Sequence, residues 1–455
     1  SFTYKNTYAM TLPGFRPEVG DMFGQKKHGG FLAPGMDFAF GFTGDGYIDR
    51  ALQNDWLICN DSVVSPASSN ALEDLQLRIS LEPIRDLKID LTANRTRNRS
   101  REIQYMFEGM PDTRSGNFSM SIISIGSAFE RPSAGDGYHS GTFERFRRNL
   151  DVIRDRVESQ FLGAQYPQGS ILAGKTFDPA NGTISKHSPD VMIPAFLAAY
   201  TGKSARNSAL DFFPSLFSMM PNWRITYTGL TKIAWFKKNF RSVNLNHAYR
   251  STYSVGSYNT FQSFMSYMGD IGFVEDVQSG NPIPSSRFDI SMVSINEQFS
   301  PLIGMDATLK NGLTAKVEYK TSRILNLSMS ACQLVETASR DFVIGLGYKI
   351  VNFNLFSGRN VKDSKNRVSH DLALRADISF RNQSALCRDI QQGFAQATNG
   401  NKALKISCSA DYTLSRLLTL RLYYDRQQNT PLVSSSSYPV VSADFGFSMK
   451  FSLTR

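Results

Sequence analysis

The run Asn222–Tyr258, NWRITYTGLTKIAWFKKNFRSVNLNHAYRSTYSVGSY, limits what this chain can become more than any other stretch. In its second half Val243, Leu245, His247, Tyr249, Tyr253 and Val255 take alternate positions, and Ser242, Asn244, Asn246, Arg250 and Ser254 take the others. A strand sends successive side chains to opposite faces, so the segment predicts a ribbon with one fatty or aromatic face and one wet face. Trp223, Ile225 and Tyr227 against Arg224, Thr226 and Thr228 repeat the pattern more briefly. The stretch from Arg241 to Tyr253 is long enough to cross a hydrocarbon core, for which about 9–11 tilted strand residues suffice. It exceeds the usual globular strand of about 5–6 residues. A single ribbon of this kind fits a soluble sheet; a succession of them predicts a membrane barrel.

The succession is there. Leu75, Leu77, Ile79 and Leu81 share a face, a turn follows at 82–86, and Leu87, Ile89, Leu91 and Ala93 return, which predicts a hairpin. From Ile290 the chain reads as almost pure strand. Met305, Ala307 and Leu309 lead into Asn311-Gly312, and Leu313, Ala315, Val317 and Tyr319 come back. Asn-Gly between alternating runs is the strongest short hairpin signal. The opposite face carries Asp306, Thr308, Thr314, Lys316, Glu318 and Lys320, a hydrated wall. Further staves are expected at Leu325–Met329, Phe342–Tyr348, Leu372–Phe380, Leu404–Leu414, Leu418–Tyr424 and Val441–Leu453. Outer-membrane barrels have short periplasmic turns and long outer loops. Counted back from a periplasmic C-terminus, 426–438 and 382–402 fall outside; Ser415-Arg416, 357–370 and Asn311-Gly312 fall inside, provided Leu313 to Ala331 is one strand.

Composition decides which membrane class remains. The 455 residues contain no apolar run of 18 or more, which excludes a helical membrane protein. A barrel stays open at a mean hydropathy of −0.27, because half of each stave is polar. The 33 Phe and 18 Tyr suit aromatic girdles, and equally any β-rich protein. A net charge of +10 suits lipopolysaccharide, nucleic acid or mere solubility. Cys59, Cys332, Cys387 and Cys408 form no C-x-x-C and fit neither a zinc site nor a disulfide framework. The N-terminal SFTYKNTYAM lacks the basic head and apolar core of an export signal, so the expectation is a piece of a longer or processed polypeptide.

Two regions break the ribbon pattern. Residues 1–50 are punctuated by Pro13-Gly14, Pro34-Gly35 and Gly44-Asp45-Gly46 and predict loops and short strands. The Gly41, Gly44, Gly46 cluster reads as a turn, with no phosphate-binding spacing and no helix expected after it. Between Thr142 and Tyr200 the period changes to that of a helix. Phe143, Phe146, Leu150, Ile153, Val157 and Phe161 recur at three- and four-residue steps between charges. A second helix is expected from Ser188 as cap and Pro189 through Tyr200, and a third over Ser204–Met219. Helices cannot form part of a sheet wall in lipid, where backbone bonds close within the sheet, so this insertion is expected as a cap, an inward plug or a partner-binding lobe. Gly202-Lys203-Ser204 imitates the end of a P-loop but follows a helix and lacks the earlier glycine, position 197 being Leu. The organisation expected is 1–140 loops and wall strands, 141–220 a helical insertion, and 221–455 further wall strands.

Arg95, Arg97, Arg99 and Arg101 continue the apolar face of their strand. Like charges at that spacing repel unless water or an anion lies opposite. The plain expectation is a strand tip projecting into solvent; the functional one is a rung of guanidinium groups under lipopolysaccharide phosphates at the outer rim.

The words WRITYTGLTKI, HAYRSTYSVGSY, SINEQFSPLIGMDATLKNGLTAKVEYKTSR and FVIGLGYKI resemble the C-terminal part of the SprA/Sov family. PGFRPEVGDMFG, LAPGMDFAFG and LEPIRDLKIDLTANRTRN resemble it further upstream, in the same order. That family comprises the outer-membrane translocons of type IX secretion, and its members are several times longer. The resemblance implies a wide antiparallel transmembrane β-barrel in the bacterial outer membrane that exports folded cargo, gliding-motility adhesins among it. It also implies a gated, laterally open barrel working with an outer-membrane shuttle protein and a periplasmic plug protein. Trp223, His247, Tyr249, Tyr253 and Gly256 fall within its words. The chain departs from common barrel practice at its end, Phe451-Ser-Leu-Thr-Arg455, which lacks a terminal aromatic.

No reading of the residues points to catalysis. The histidines His28, His139, His187, His247 and His370 are scattered, and neither H-E-x-x-H nor G-x-S-x-G occurs. The expectation is a conduit with no enzyme activity, cofactor or metal, whose partners are outer-membrane lipid, lipopolysaccharide, cargo, shuttle and plug, and no nucleic acid. The alternatives are a TonB-dependent type of solute transporter and a soluble β-rich glycan-binding or adhesin module with its apolar faces closed on each other.

Overall fold

A computed structural model describes the chain except residues 19, 29, 45, 61–64, 106–111, 352, 354–370, 415–417, 434–437 and 452–455. Its frame is one antiparallel sheet of 14 strands. In chain order these are β1 (Phe2–Thr11), β2 (Ala67–Ile84), β3 (Leu87–Ile103), β4 (Asp112–Ser121), β5 (Asn222–Tyr227), β6 (Phe240–Thr260), β7 (Phe288–Ile290) and β8 (Met292–Leu309). They continue as β9 (Leu313–Ser328), β10 (Gln333–Ile350), β11 (Leu372–Asp389), β12 (Ala395–Thr413), β13 (Leu418–Pro431) and β14 (Val440–Phe451). The order across the sheet is β1-β2-β3-β4-β6-β8-β9-β10-β11-β12-β13-β14, a meander in which almost every strand pairs with its sequence neighbour. Among the described residues β1 and β14 do not pair with each other, so the sheet is an open wall.

The place between β3 and β6 is filled by two half-strands. β4 pairs with the far half of β3, Arg95 to Ile103, and β5 with the near half, Leu87 to Thr92. Both pair with β6. One stave is thus interrupted between Ser121 and Asn222, and the intervening chain forms the lobe. The interruption removes ladder partners, and two side chains replace them. Asn94 N donates to Ser121 Oγ at 3.0 Å, Ser251 N donates to Asn222 Oδ1 at 2.7 Å, and Asn222 Nδ2 donates to Ser121 Oγ at 3.2 Å. The two bonds of Asn222 are buried, where an unpaired amide is costly, and the Asn94 bond is part-buried.

The lobe contains the expected helices α1 (Gly141–Ser159), capped by Ser140 Oγ on Phe143 N, and α2 (Pro189–Tyr200). The expected third helix is absent. Apart from a short 3₁₀ turn at Leu216–Ser218, residues 204–219 are irregular, because Ser204, Asn207, Ser208, Asp211, Pro214 and Ser215 offer competing local bonds and a break. The lobe also recruits a three-stranded sheet at Met265–Met268, Ile271–Glu275 and Pro282–Ser286, so it is not wholly within 141–220. Near the N-terminus, Gly46 caps a short helix, Tyr47–Gln53, which corrects the expectation that no helix follows the glycine cluster. Residues 1–50 also supply a full wall strand, β1.

Two loop expectations are corrected. The stretch 382–402 is almost all strand, since β11 runs to Asp389 and β12 starts at Ala395 around a turn in which Gly393 N donates to Asp389 O. Likewise β13 extends to Pro431. Conversely, β9 is unbroken from Leu313 to Ser328, so Asn311-Gly312 and the β10–β11 and β12–β13 connections lie at one end of the wall. Residues 357–370, Ser415-Arg416 and Leu453 themselves lie outside the described residues.

Candidate functional site

Register assigns every wall residue to one of two faces. One face is mainly polar. On β8 and β9 it carries Asn296, Gln298, Asp306, Thr308, Lys316, Glu318 and Lys320, and on β11 Arg375, Asp377, Ser379 and Arg381, with Met292, Ile324 and Val343 as apolar exceptions. Several of its charges pair along and across strands: Glu318 takes Lys316 and Lys320 at 3.1 and 2.9 Å, Asp341 takes Arg381 at 2.9 Å, and Asp411 takes Arg421 at 3.4 Å.

The other face divides into two zones along the strands. The first is a bare apolar belt. On β11 it runs Leu372, Leu374, Ala376, Ile378, Phe380; beside it stand Phe342, Ile344, Leu346 and Tyr348 of β10 and Leu404, Ile406, Cys408 and Ala410 of β12. Phe445, Phe447, Met449 and Phe451 continue it on β14, exposed by 54–76%. A shallow groove of about 370 Å³ between Leu346, Tyr348, Leu374, Leu422 and Phe445 is almost purely hydrocarbon. Each strand spends about 9 residues in this belt, the span a tilted strand needs to cross a bilayer core.

The second zone is the same face beyond the belt, and the lobe covers it. Phe118, Tyr253, Val255, Val293, Ile295, Leu325 and Leu327 of the wall form one core with Phe146, Ile153, Phe196 and Phe212 of the lobe. Tyr253 Oη donates to Phe212 O at 3.0 Å. The apolar half of β6 that begins at Tyr249 therefore meets protein instead of an apolar solvent. The lobe lies on the apolar side of the wall, and the face opposite it offers Ser254, Asn296 and Asn326, which no helix could cover without burying polar groups.

A buried polar junction fixes the lobe to the wall. Glu297, Arg323, Glu336 and Arg388 are each at most 8% exposed. Arg323 pairs with Glu297 at 2.6 Å and donates to Ser127 O and Oγ at 2.6 and 2.9 Å. Ser124 Oγ and Tyr249 Oη both donate to Glu297 at 2.7 Å. Arg388 pairs with Glu336 at 3.1 Å and donates to Tyr138 O at 2.6 Å. Each ion therefore has its opposite charge and further hydrogen bonds, as burial of a charge demands, with Arg323 Nε alone left unpaired among their buried side-chain atoms. Within the lobe, burial pushes the Asp190 carboxyl up, against opposing bonds from Ser286 and Ser285. Burial also pulls Glu130 up, but bonds from Ser140 and Thr142 outweigh it and hold that carboxyl below the usual range.

The arginine ladder is neither a solvated tip nor a lipid rung. β3 continues to Ile103 within the wall, and the lobe and N-terminal segment close over it. Arg95 lies near Glu73 at 3.6 Å and over the Phe118 ring, Arg97 over the Phe213 ring, and Arg99 donates to Glu73 at 2.7 Å. Arg101 is buried between Asp49 and Asp112, with bonds of 2.9–3.0 Å to both. Asp112 lies on the next strand, β4, whereas Asp49 comes from an element 52 residues away, which no local pattern announces. Of the other motif residues, Trp223 stacks on Tyr249 at 4.5 Å, His247 Nδ1 lies 2.6 Å from Leu302 O, and Gly256 sits on the polar face of β6. Trp223, His247 and Tyr249 meet in one aromatic cluster with Phe299, which is wall packing. Among the described residues no group of three or more His, Cys, Asp or Glu is placed to hold a metal.

No protein-family model matches the chain, and no curated protein matches it. Among solved structures, the β domain of the Bordetella autotransporter BrkA is similar at 6% identity over 87% of this chain and 94% of that one, with a TM-score of 0.23. A score that low carries no weight, so the fold class rests on the register and the two faces: a large antiparallel β wall with an inserted, partly helical lobe.

Proposed function

We propose that this chain forms part of the wall of an outer-membrane, protein-conducting barrel of the SprA/Sov kind, passing folded cargo from the periplasm to the cell surface. One observation carries the reading: a bare hydrocarbon belt about 9 residues tall backs onto a face on which charges, amides and hydroxyls predominate. Only the belt can meet acyl chains, so the polar face lines a passage. Balanced charge and short hydroxyls make that lining wet and weakly adhesive, which suits sliding of a folded protein. The closed core that a soluble adhesin requires is missing along the belt. By the end assignment, the lobe stands on the outer surface of the wall at the extracellular side, over the outer leaflet. Shuttle and plug proteins are the partners this reading calls for.

A photo-crosslinking residue at Asp377 should capture secreted cargo in cells, while one at the adjacent Ile378 should capture lipid only. Cargo must also accumulate in the periplasm when the gene is deleted. Cargo captured at neither position, or normal export without the protein, overturns the proposal; uptake of a small solute lost with export intact would favour the transporter reading.

A further inference from the structure

On the lobe side of the belt, the first outward position past the last apolar residue is cationic or amide on neighbouring strands. It is Arg340 after Phe342 on β10, Asn382 after Phe380 on β11, and Lys402 after Leu404 on β12. Arg340, Asn382 and Lys402 are direct cross-strand neighbours in one row. Each stands two residues, roughly 7 Å of strand rise, beyond the hydrocarbon zone, which is the depth of lipid phosphates.

The lobe roofs this row. A cleft of about 340 Å³ opens between Pro132 and Tyr138 of the lobe and Arg340, Asn382, Ser384 and Lys402 of the wall. Arg340 Nη2 is anchored by a 3.2 Å bond to Glu130 O, which leaves its other donors toward the cleft. Among the described residues Arg340 and Lys402 form no salt bridge, whereas Asp341 and Asp411 on the other face hold Arg381 and Arg421. The acids that also border the cleft are engaged elsewhere. Glu130 accepts from Ser140 and Thr142, and Glu336 holds Arg388.

We propose that this cleft seats a phosphate of lipopolysaccharide in the outer leaflet, with Arg340 and Lys402 as its ligands and Asn382 between them. Guanidinium and ammonium groups at a dry boundary bind phosphate by charge-assisted bonds. The lobe then acts as an eave that keeps the headgroup against the wall. The proposal rests on the outward orientation of the belt argued above.

The test uses the full chain purified in mild detergent, stripped of lipid and titrated with fluorescent lipopolysaccharide. Arg340→Gln with Lys402→Gln should weaken binding about tenfold or more, about 1.4 kcal/mol. Lys405→Gln, on the same strand but the polar face, should leave it unchanged. Dephosphorylated lipopolysaccharide should bind the native protein as poorly as the phosphorylated form binds the double variant. Strand content by circular dichroism confirms that each variant is folded. Unaltered binding by the double variant, or equal competition from phosphatidylglycerol, overturns the site. A protein that stays dispersed without detergent overturns the barrel reading instead, so the two failures are distinct.

Discussion

The interrupted stave makes the sharpest demand on the structure, and Asn222→Ala tests it. In the native wall the Ser251 amide has no main-chain partner at the break and donates to Asn222 Oδ1 at 2.7 Å; Asn222 is 4% exposed and Ser251 not at all. Alanine leaves that amide unpaired where water does not reach, at about 1–3 kcal/mol, and removes the bond from Asn222 Nδ2 to Ser121 Oγ, about 1 kcal/mol more. The expected loss is about 2–4 kcal/mol. Hydrogen exchange of the folded protein in detergent reads it locally: protection at Ser251 should fall by about 30-fold or more, while β11 and β12 keep theirs. Ser121→Ala removes the acceptor of the less buried Asn94 amide and should cost less than Asn222→Ala, and the double variant should cost less than the sum because the two side chains touch. If Ser251 exchanges as slowly in Asn222→Ala as in the native protein, side chains do not seal the break and the description of the lobe's insertion is wrong.

Three further outcomes follow from the same geometry. Ile378→Arg places a charge in the belt and should cost about 2–4 kcal/mol of folding stability in lipid, whereas Asp377→Arg one residue away should cost far less; reversed costs in vesicle refolding would invert the two faces. Glu297→Gln or Arg323→Met alone should destabilise the lobe by about 3–5 kcal/mol, and the two together by less than their sum, since the second change removes the stranded charge left by the first; additive losses in thermal unfolding would refute a coupled pair. For Asp190, a folded pKa raised by burial means that the native lobe binds the proton more tightly than the unfolded chain. Its stability is then highest below the unfolded carboxylate pKa and falls as pH rises through the raised folded value. Asp190→Asn should therefore stabilise the lobe at neutral pH and change little at acidic pH, and a pH-independent effect in limited proteolysis would count against it.

Much of the wall was legible because the belt writes itself into the sequence. Leu313 to Tyr319, Leu372 to Phe380 and Leu404 to Tyr412 alternate without a fault, and Asn311-Gly312 marks its own turn. Beyond the belt the signal stops. There the outward positions of β11 are Asn382 and Ser384, so the alternation vanishes although the strand goes on to Asp389, and a loop is expected where none exists. The helices α1 and α2 were legible from period and cap. The lobe's position was not, because Tyr253, Val255 and Val293 look alike whether lipid or protein covers them. The partners of Arg101 were hidden for a related reason: Asp49 is 52 residues away and reaches it only through the fold.

The position of the lobe also constrains how such a wall can be gated. To enter the passage, the lobe would have to leave Tyr253, Val255, Ile295 and Leu325 in water and bury Ser254, Asn296 and Asn326 against its own apolar helices. Each polar group buried without a partner costs about 1–3 kcal/mol, and a fully stripped Leu or Ile a similar amount. Glu297 and Arg323 would lose Ser124 and Ser127 in the same step. These terms have the same sign, so the lobe stays on the apolar face of the wall. On the proposed conduit reading, closing the passage is therefore not the task of this insertion.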